Sequence, residues 1–165
     1  MDEARGLKYM RRKWLKLGTA MAAALMLTAC TACAETLTCI VPEGQYVNVR
    51  HQATQSAATW GVLHTGDTID ACPEEAVNGY FKTTFKDQTA YVSVKYFEIS
   101  VGERYIVDAN GRVRLRQSPG GSAAGFIQPG EAVHVMAWRY AGDGSRWGKC
   151  AGGQYIAAQY LRPEE

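Results

Sequence analysis

The chain has 165 residues, 47% hydrophobic and 21% charged, with 18 Lys and Arg against 16 Asp and Glu. That length holds one ordinary domain or two very small ones, and the composition is that of a globular protein, which excludes a disordered chain. Residues 1–30 carry six of the basic and two of the acidic groups, so the rest holds 12 basic and 14 acidic residues, net −2, and the sequence pI of 8.3 is no argument for nucleic-acid binding.

In chain order the first element is not part of the fold. Arg11, Arg12, Lys13 and Lys16 precede a nearly uncharged run of 13 residues, 17–29, and then small residues, which is the order of an export signal. A membrane-crossing helix needs about 20 apolar residues, so the run reads as a signal rather than a permanent anchor. The start is Met1 or Met10. Two cuts compete after it. Ala32-Cys33-Ala34 puts small residues three and one positions before Glu35, the pattern for ordinary signal cleavage and free secretion. Leu27-Thr28-Ala29-Cys30 instead resembles the lipobox of bacterial lipoproteins, which implies a diacylglyceryl group on the Cys30 thiol and Cys30 as the new N-terminus. Two acyl chains, at about 0.8 kcal/mol per buried methylene, anchor durably. The expectation is a signal over 1–29, lipid on Cys30, a tether over 30–35, and an exported protein held at the outer face of the membrane, with secretion as the alternative.

Beyond the tether the apolar residues alternate with period two, as at 46–50 and 130–135. Turn chemistry interrupts them: Pro42-Glu43-Gly44, Asn78-Gly79, Asn110-Gly111, Pro119-Gly120-Gly121, Pro129-Gly130 and Gly142-Asp143-Gly144. No amphipathic helix of useful length follows the leader, so the class is all-β. A repeat organises these strands. Val47-Asn48-Val49-Arg50 returns as Val113-Arg114-Leu115-Arg116, Gly61-Val62-Leu63 as Gly125-Phe126-Ile127, and Thr65-Gly66-Asp67-Thr68-Ile69 as Pro129-Gly130-Glu131-Ala132-Val133. Tyr91-Val92-Ser93-Val94-Lys95-Tyr96-Phe97 then matches Tyr155-Ile156-Ala157-Ala158-Gln159-Tyr160-Leu161. The ordered set resembles the bacterial SH3-like (SH3b) domain in two copies, which implies two small β-barrels, residues 36–100 and 101–165, joined near 100–103. The second copy departs from the family at Arg114, where Asn is usual. The first has Phe81 where Trp147 stands in the second.

A barrel of about 60 residues is marginal alone, so contact between copies or a disulfide is expected. Cys39 and Cys72 are candidates for that bond in an oxidising compartment, contributing roughly 3 to 4 kcal/mol in the chain-entropy model; the other reading is two separate buried thiols. Cys150 then has no partner, and Cys33 lies in the tether. Cys30 and Cys33 have redox or metal spacing, but processing of the export signal explains them better.

Little in the chain has the form of a catalytic set. His51, His64 and His134 lack a second His or Cys at ligand spacing, and Glu74-Glu75 and Glu164-Glu165 are adjacent rather than facing carboxylates. No phosphate loop is present. The expectation is therefore a protein that is not an enzyme, with no cofactor and no metal.

Binding is what two bare barrels offer. Trp138, Arg139, Tyr140 and Trp147 flank the 142–145 loop and form a candidate platform for a glycan or peptide. In the opposing reading Trp147 is core, and Trp138 or Tyr140 turns inward if the strand continues. Trp60, Tyr80 and Tyr91 are the weaker candidates of the first copy. Loops 52–59 and 117–124 correspond to the ligand-contacting loop of the SH3 fold, or are ordinary mobile connections. The resemblance and the export signal imply binding of cell-wall peptidoglycan or its peptides. The alternatives are an envelope adaptor that holds a partner protein, and a mere spacer. The acidic first half, with four basic and eight acidic groups over 35–101, and the basic second half, with eight and six over 102–165, read as solvated surfaces or as a sign of a protein partner.

Overall fold

Alternation is what the backbone uses. Leu37 and Cys39, Val47 and Val49, Ile69 and Ala71, Phe81 and Thr83, and Ala90 and Val92 are buried two residues apart, with more exposed residues between them. The structure is a computed structural model that describes residues 33–165; the export signal, the start at Met1 or Met10 and Cys30 lie outside the described residues. Its strands are β1 Glu35–Cys39, β2 Val47–Arg50, β3 Thr59–Leu63, β4 Thr68–Ala71, β5 Tyr80–Phe85, β6 Gln88–Ser93 and β7 Phe97–Val107. They continue as β8 Val113–Arg116, β9 Ala123–Ile127, β10 Ala132–Tyr140, β11 Arg146–Cys150, β12 Tyr155–Ala157 and β13 Leu161–Pro163. Only short 3-10 turns interrupt them, at Pro73–Glu75, Val94–Tyr96 and Ala158–Tyr160. The class is all-β, as the period-two pattern requires.

All strand pairs are antiparallel, in a four-stranded sheet β3-β2-β6-β5 and a nine-stranded sheet β4-β1-β7-β10-β11-β12-β8-β9 with β13 also on β7. Strand β7 is common to both halves. Its first residues pair with β1 (Cys39↔Phe97), its last with β13 (Leu161↔Val107), and most of its length with β10, from Arg139↔Glu98 to Ala132↔Ile106. Residues 100–103, read from sequence as a junction, lie inside this strand. The register shifts there, between Val135 and Ala137, and Gly102 takes φ +74.

The same hydrogen bonds recur in the two halves. Cys39 N donates to Asp67 O and Gly66 N to Cys39 O; Val107 N donates to Glu131 O and Gly130 N to Val107 O. Ile40 N reaches Tyr96 O as Asp108 N reaches Tyr160 O. The hairpins β2–β3 and β8–β9 each slip register just before an arginine, Arg50 or Arg116, and that guanidinium donates to a carbonyl of the following loop, of Ala57 or Gly121. Strand β7 therefore stands last in the first set of bonds, where β13 stands in the second. It also stands first in the second, where β1 stands in the first.

The first core holds Leu37, Val49, Phe81, Val92 and Phe97, all fully buried. A residue of the second half completes it: Tyr140, at the end of β10, is 3% exposed with its ring edge-on to Phe81 at 5.0 Å. Trp138, two residues back, is 6% exposed and packs on Tyr105 at 5.3 Å in a second cluster. Both aromatic rings face inward, whereas sequence offered them as a binding platform, with one or the other turned inward if the strand continued.

The halves also meet at the backbone. Asn78 and Gly79 form the tight turn with φ +52 and +76, and a Cβ on Gly79 would stand 2.3 Å from the carbonyl oxygen of Gly142.

The disulfide also differs from expectation. Cys72 is bonded to Cys33, with Cα atoms 5.0 Å apart, and Cys39 is free and fully buried. Register explains this. Glu35 pairs with Ala71, so the residues just before β1 run beside Cys72, whereas Cys39 lies roughly five residues along the strand from the position opposite Cys72, about 17 Å away and beyond the reach of a disulfide. Cys150 is the other free cysteine among the described residues. Burial raises both free thiols above their ordinary pKa.

The Tyr140 ring, not its hydroxyl, holds the halves together. Burial pushes that hydroxyl up to about 12, and it meets no protein hydrogen-bond partner. Urea unfolding is expected to show Tyr140→Ala destabilised by about 3 kcal/mol and Tyr140→Phe within about 1 kcal/mol of the parent.

Candidate functional site

Strand β8 and the residue before it set the site. Val113 and Leu115 turn inward, so Arg112, Arg114 and Arg116 share the outer face, one every second residue, about 6.8 Å per step. Opposite them, β11 supplies Arg146 and Trp147, and the 3-10 turn before β13 supplies Gln159 and Tyr160. Between these elements lies a groove of about 1030 Å³.

Two aromatic rings of the groove, Phe126 and Trp147, carry cations. The Arg112 guanidinium sits 4.3 Å from the centre of the Phe126 ring and Arg114 5.9 Å from the same ring. Arg116 lies 5.7 Å from the Trp147 ring, and Arg146 lies 4.5 Å from Trp138 beneath the rim. Arg146 has a distant carboxylate, Glu35 at 3.9 Å, while Arg112, Arg114 and Arg116 join no ion pair among the described residues. Four of the eight basic groups of the second half thus gather in one groove.

Trp147 is held in place by a short relay. Its indole Nε1 donates to Ser145 Oγ at 2.9 Å, and Ser145 donates through both its hydroxyl and its backbone N–H to Asp143 Oδ1, at 2.7 and 2.9 Å. Those two bonds, the hydroxyl first, hold the exposed Asp143 carboxyl below its ordinary 3.8.

The first half carries a smaller groove, about 240 Å³, on the matching positions. Tyr46, Asn48 and Arg50 stand where Arg112, Arg114 and Arg116 stand in the second, and Ser93, Lys95 and Tyr96 where Ala157, Gln159 and Tyr160 stand. Tyr80 lines this smaller groove.

Of the residues singled out from sequence, Tyr80 lines the smaller groove, Trp138 and Tyr140 are core, and Trp147 is both: it edges the larger groove and is buried with Ala141 and Tyr155, as the core reading of it expected. Arg139 turns to the first half, 3.6 Å from Glu98. Trp60 stacks on His51 with ring centres 3.8 Å apart, on the outer face of β3 away from both grooves, and Tyr91 lines neither. Loop 117–124 lies outside the larger groove, and Gln55 is the residue of loop 52–59 in the smaller one. Cys33, Cys72 and Glu74 converge within 4.8 Å, but both sulfurs are committed to the disulfide. Sequence reasoning missed the arginine row. Its signal was present in the period-two spacing of Arg112, Arg114 and Arg116 and in the departure from Asn at 114.

No family profile matches the chain, and no curated protein does either. Among solved structures it is similar to NlpC1 from Trichomonas vaginalis, with a TM-score of 0.34 and 12% identity over 79% of this chain and 46% of that one. It is also similar to NlpC2 from the same organism, with a TM-score of 0.34 and 10% identity over 79% and 48%. A third is the Endolysin LysPBC5 CBD, with a TM-score of 0.30 and 16% identity over 78% and 92%. The chain spans about half the length of the two Trichomonas proteins. Superpositions this loose assign neither a fold nor a function to the chain.

The relay gives the groove a pH limit. A carboxyl with a depressed pKa keeps its bonds above the ordinary value and loses them as pH falls through the depressed one. The indole N–H resonance of Trp147 is therefore expected to stay constant from neutral pH down to the ordinary Asp range and to move only below it, while Asp143→Ala shows the displaced resonance already at neutral pH.

Proposed function

We propose that the chain is a non-catalytic binding module of the cell envelope, built of two SH3b-like units, that holds cell-wall peptidoglycan or its peptides in the groove beside β8. The observation that carries this reading is the recurrence of one groove on matching strands, β2 of the four-stranded sheet and β8 of the nine-stranded one, the larger groove lined by guanidinium and aromatic groups. Such side chains give large contact area and directed hydrogen bonds at little entropic cost, which is what recognition of a sugar or peptide needs. The recurring hydrogen bonds support the two-unit reading, in which β7 serves both units. The reading assigns the chain no reaction and no cofactor.

The same proposal places the protein outside the cytoplasm, cut before Cys30 and lipidated there. The disulfide supports this choice between the two cuts. Cleavage after Ala34 would remove Cys33 and leave Cys72 without its partner, whereas cleavage before Cys30 retains the bond and its stabilisation, about 4 kcal/mol in the chain-entropy model. Mass spectrometry of the mature protein is expected to find an acylated chain beginning at Cys30 with Cys33 bonded to Cys72. A mature chain beginning at Glu35 would contradict it.

Binding is tested by pelleting the exported protein with protein-free sacculi. The parent is expected to pellet saturably and Arg114→Glu, an exposed change in the middle of the groove, to lose at least tenfold in affinity. Pelleting no better than a control protein of similar size and charge would refute wall binding.

A further inference from the structure

The arginine row says more about the ligand than the groove's shape does. Arg112, just before β8, and Arg114 and Arg116 on it stand at alternate residues of one extended stretch, at backbone steps of about 6.8 Å. Like charges held this close repel one another, and none of the three is paired with a carboxylate among the described residues. A neutral glycan or peptide leaves that repulsion in place. A chain with an anion at each step removes it and gives every planar fork two hydrogen bonds.

The rings narrow the choice. Guanidiniums lie 4.3 and 5.9 Å from the centre of Phe126, and another lies 5.7 Å from the centre of Trp147. With Phe126 and Trp147 taken up in this way, Tyr160 is the one ring of the groove lining left to stack nucleobases, whereas single-stranded nucleic acid draws much of its affinity from stacking successive bases. A polyanion without bases fits better. Phosphodiester-linked polyols have that form: the extended repeat of a three-carbon unit is of the same order as the step between the arginines. In the smaller groove Tyr46 and Asn48 replace the first two arginines, so it lacks the row.

We infer that the groove beside β8 binds a repeating phosphodiester polymer of the polyol type, with Arg112, Arg114 and Arg116 each facing one phosphate. This deepens the wall-binding reading and rests on it, since such a polymer must lie in the same compartment as the protein. Arg116 has a second task, holding the loop carbonyl of Gly121, so Arg112 and Arg114 are the residues to change.

The test uses the exported protein in the form the cell leaves it, titrated calorimetrically with lipid-free poly(glycerol phosphate). Saturable binding is expected, weakening roughly twentyfold between about 50 and 200 mM salt, as about three phosphate contacts along a single strand require. The double change Arg112→Gln with Arg114→Gln is expected to lose at least tenfold. A control, Arg104→Gln with Arg162→Gln, removes the same charge from positions outside the groove and is expected to bind as the parent. No binding, or equal loss in both double variants, overturns the inference. So does tighter binding of an oligothymidylate with the same number of phosphates, which would assign the groove to single-stranded nucleic acid. Sacculi stripped of phosphate polymers separate the two levels. If the protein pellets with stripped and unstripped sacculi alike and ignores the free polymer, wall binding stands and this inference falls. Binding of the polymer without pelleting on stripped sacculi supports the inference and confines wall affinity to the polymer.

Discussion

Strand β7 is the constraint on which the rest of the molecule depends. Phe97–Val107 closes the first set of strands through Phe97 and opens the second through Tyr105 and Val107, without a break between them. A unit of about 60 residues buries too little of its chain to be secure alone. Sharing a strand lets each half present its neighbour with a covered edge, and the Tyr140 ring adds a side chain of the second half to the core of the first. The close approach of Gly79 to Gly142 belongs to the same contact, since any Cβ there would hold the halves apart.

A shared interior leaves the surfaces free to differ. The hydrogen bonds that shape each half recur at matching positions, down to the arginine that holds the loop after β2 and after β8. Apart from that arginine, the side chains that face outward on and just before β2 and β8 do not recur. Tyr46 and Asn48 face one groove, Arg112 and Arg114 the other, and the cavity volumes differ about fourfold. Of the six charges that separate the two halves, net −4 and net +2, two come from Arg112 and Arg114, which stand where the first half has Tyr46 and Asn48.

How much of this the sequence discloses depends on the length scale of each cue. Strands and turns rest on local patterns, and the alternation from Leu37 onward and the Asn78-Gly79 turn were legible for that reason. The Lys86-Asp87 turn was not, because both residues take positive φ without a glycine. The cysteine pairing needed the register of β1 on β4, which places Cys33 rather than Cys39 beside Cys72. Trp138 and Tyr140 looked like a surface platform because aromatic residues near a glycine-rich loop suit binding. They are core because β10 runs on to Tyr140 between β7 and β11, which no local pattern states. The candidate site was half visible: Trp147 and Tyr80 were singled out, while the arginine row was read only as net charge.

Joined through β7, the two halves are expected to unfold as one cooperative structure. Differential scanning calorimetry of the purified protein, with the Cys33–Cys72 disulfide intact, decides this. A single transition whose calorimetric and van't Hoff enthalpies agree is the predicted result. Two separable transitions, each with about half the total enthalpy, would contradict it and return the molecule to two independent barrels on a linker.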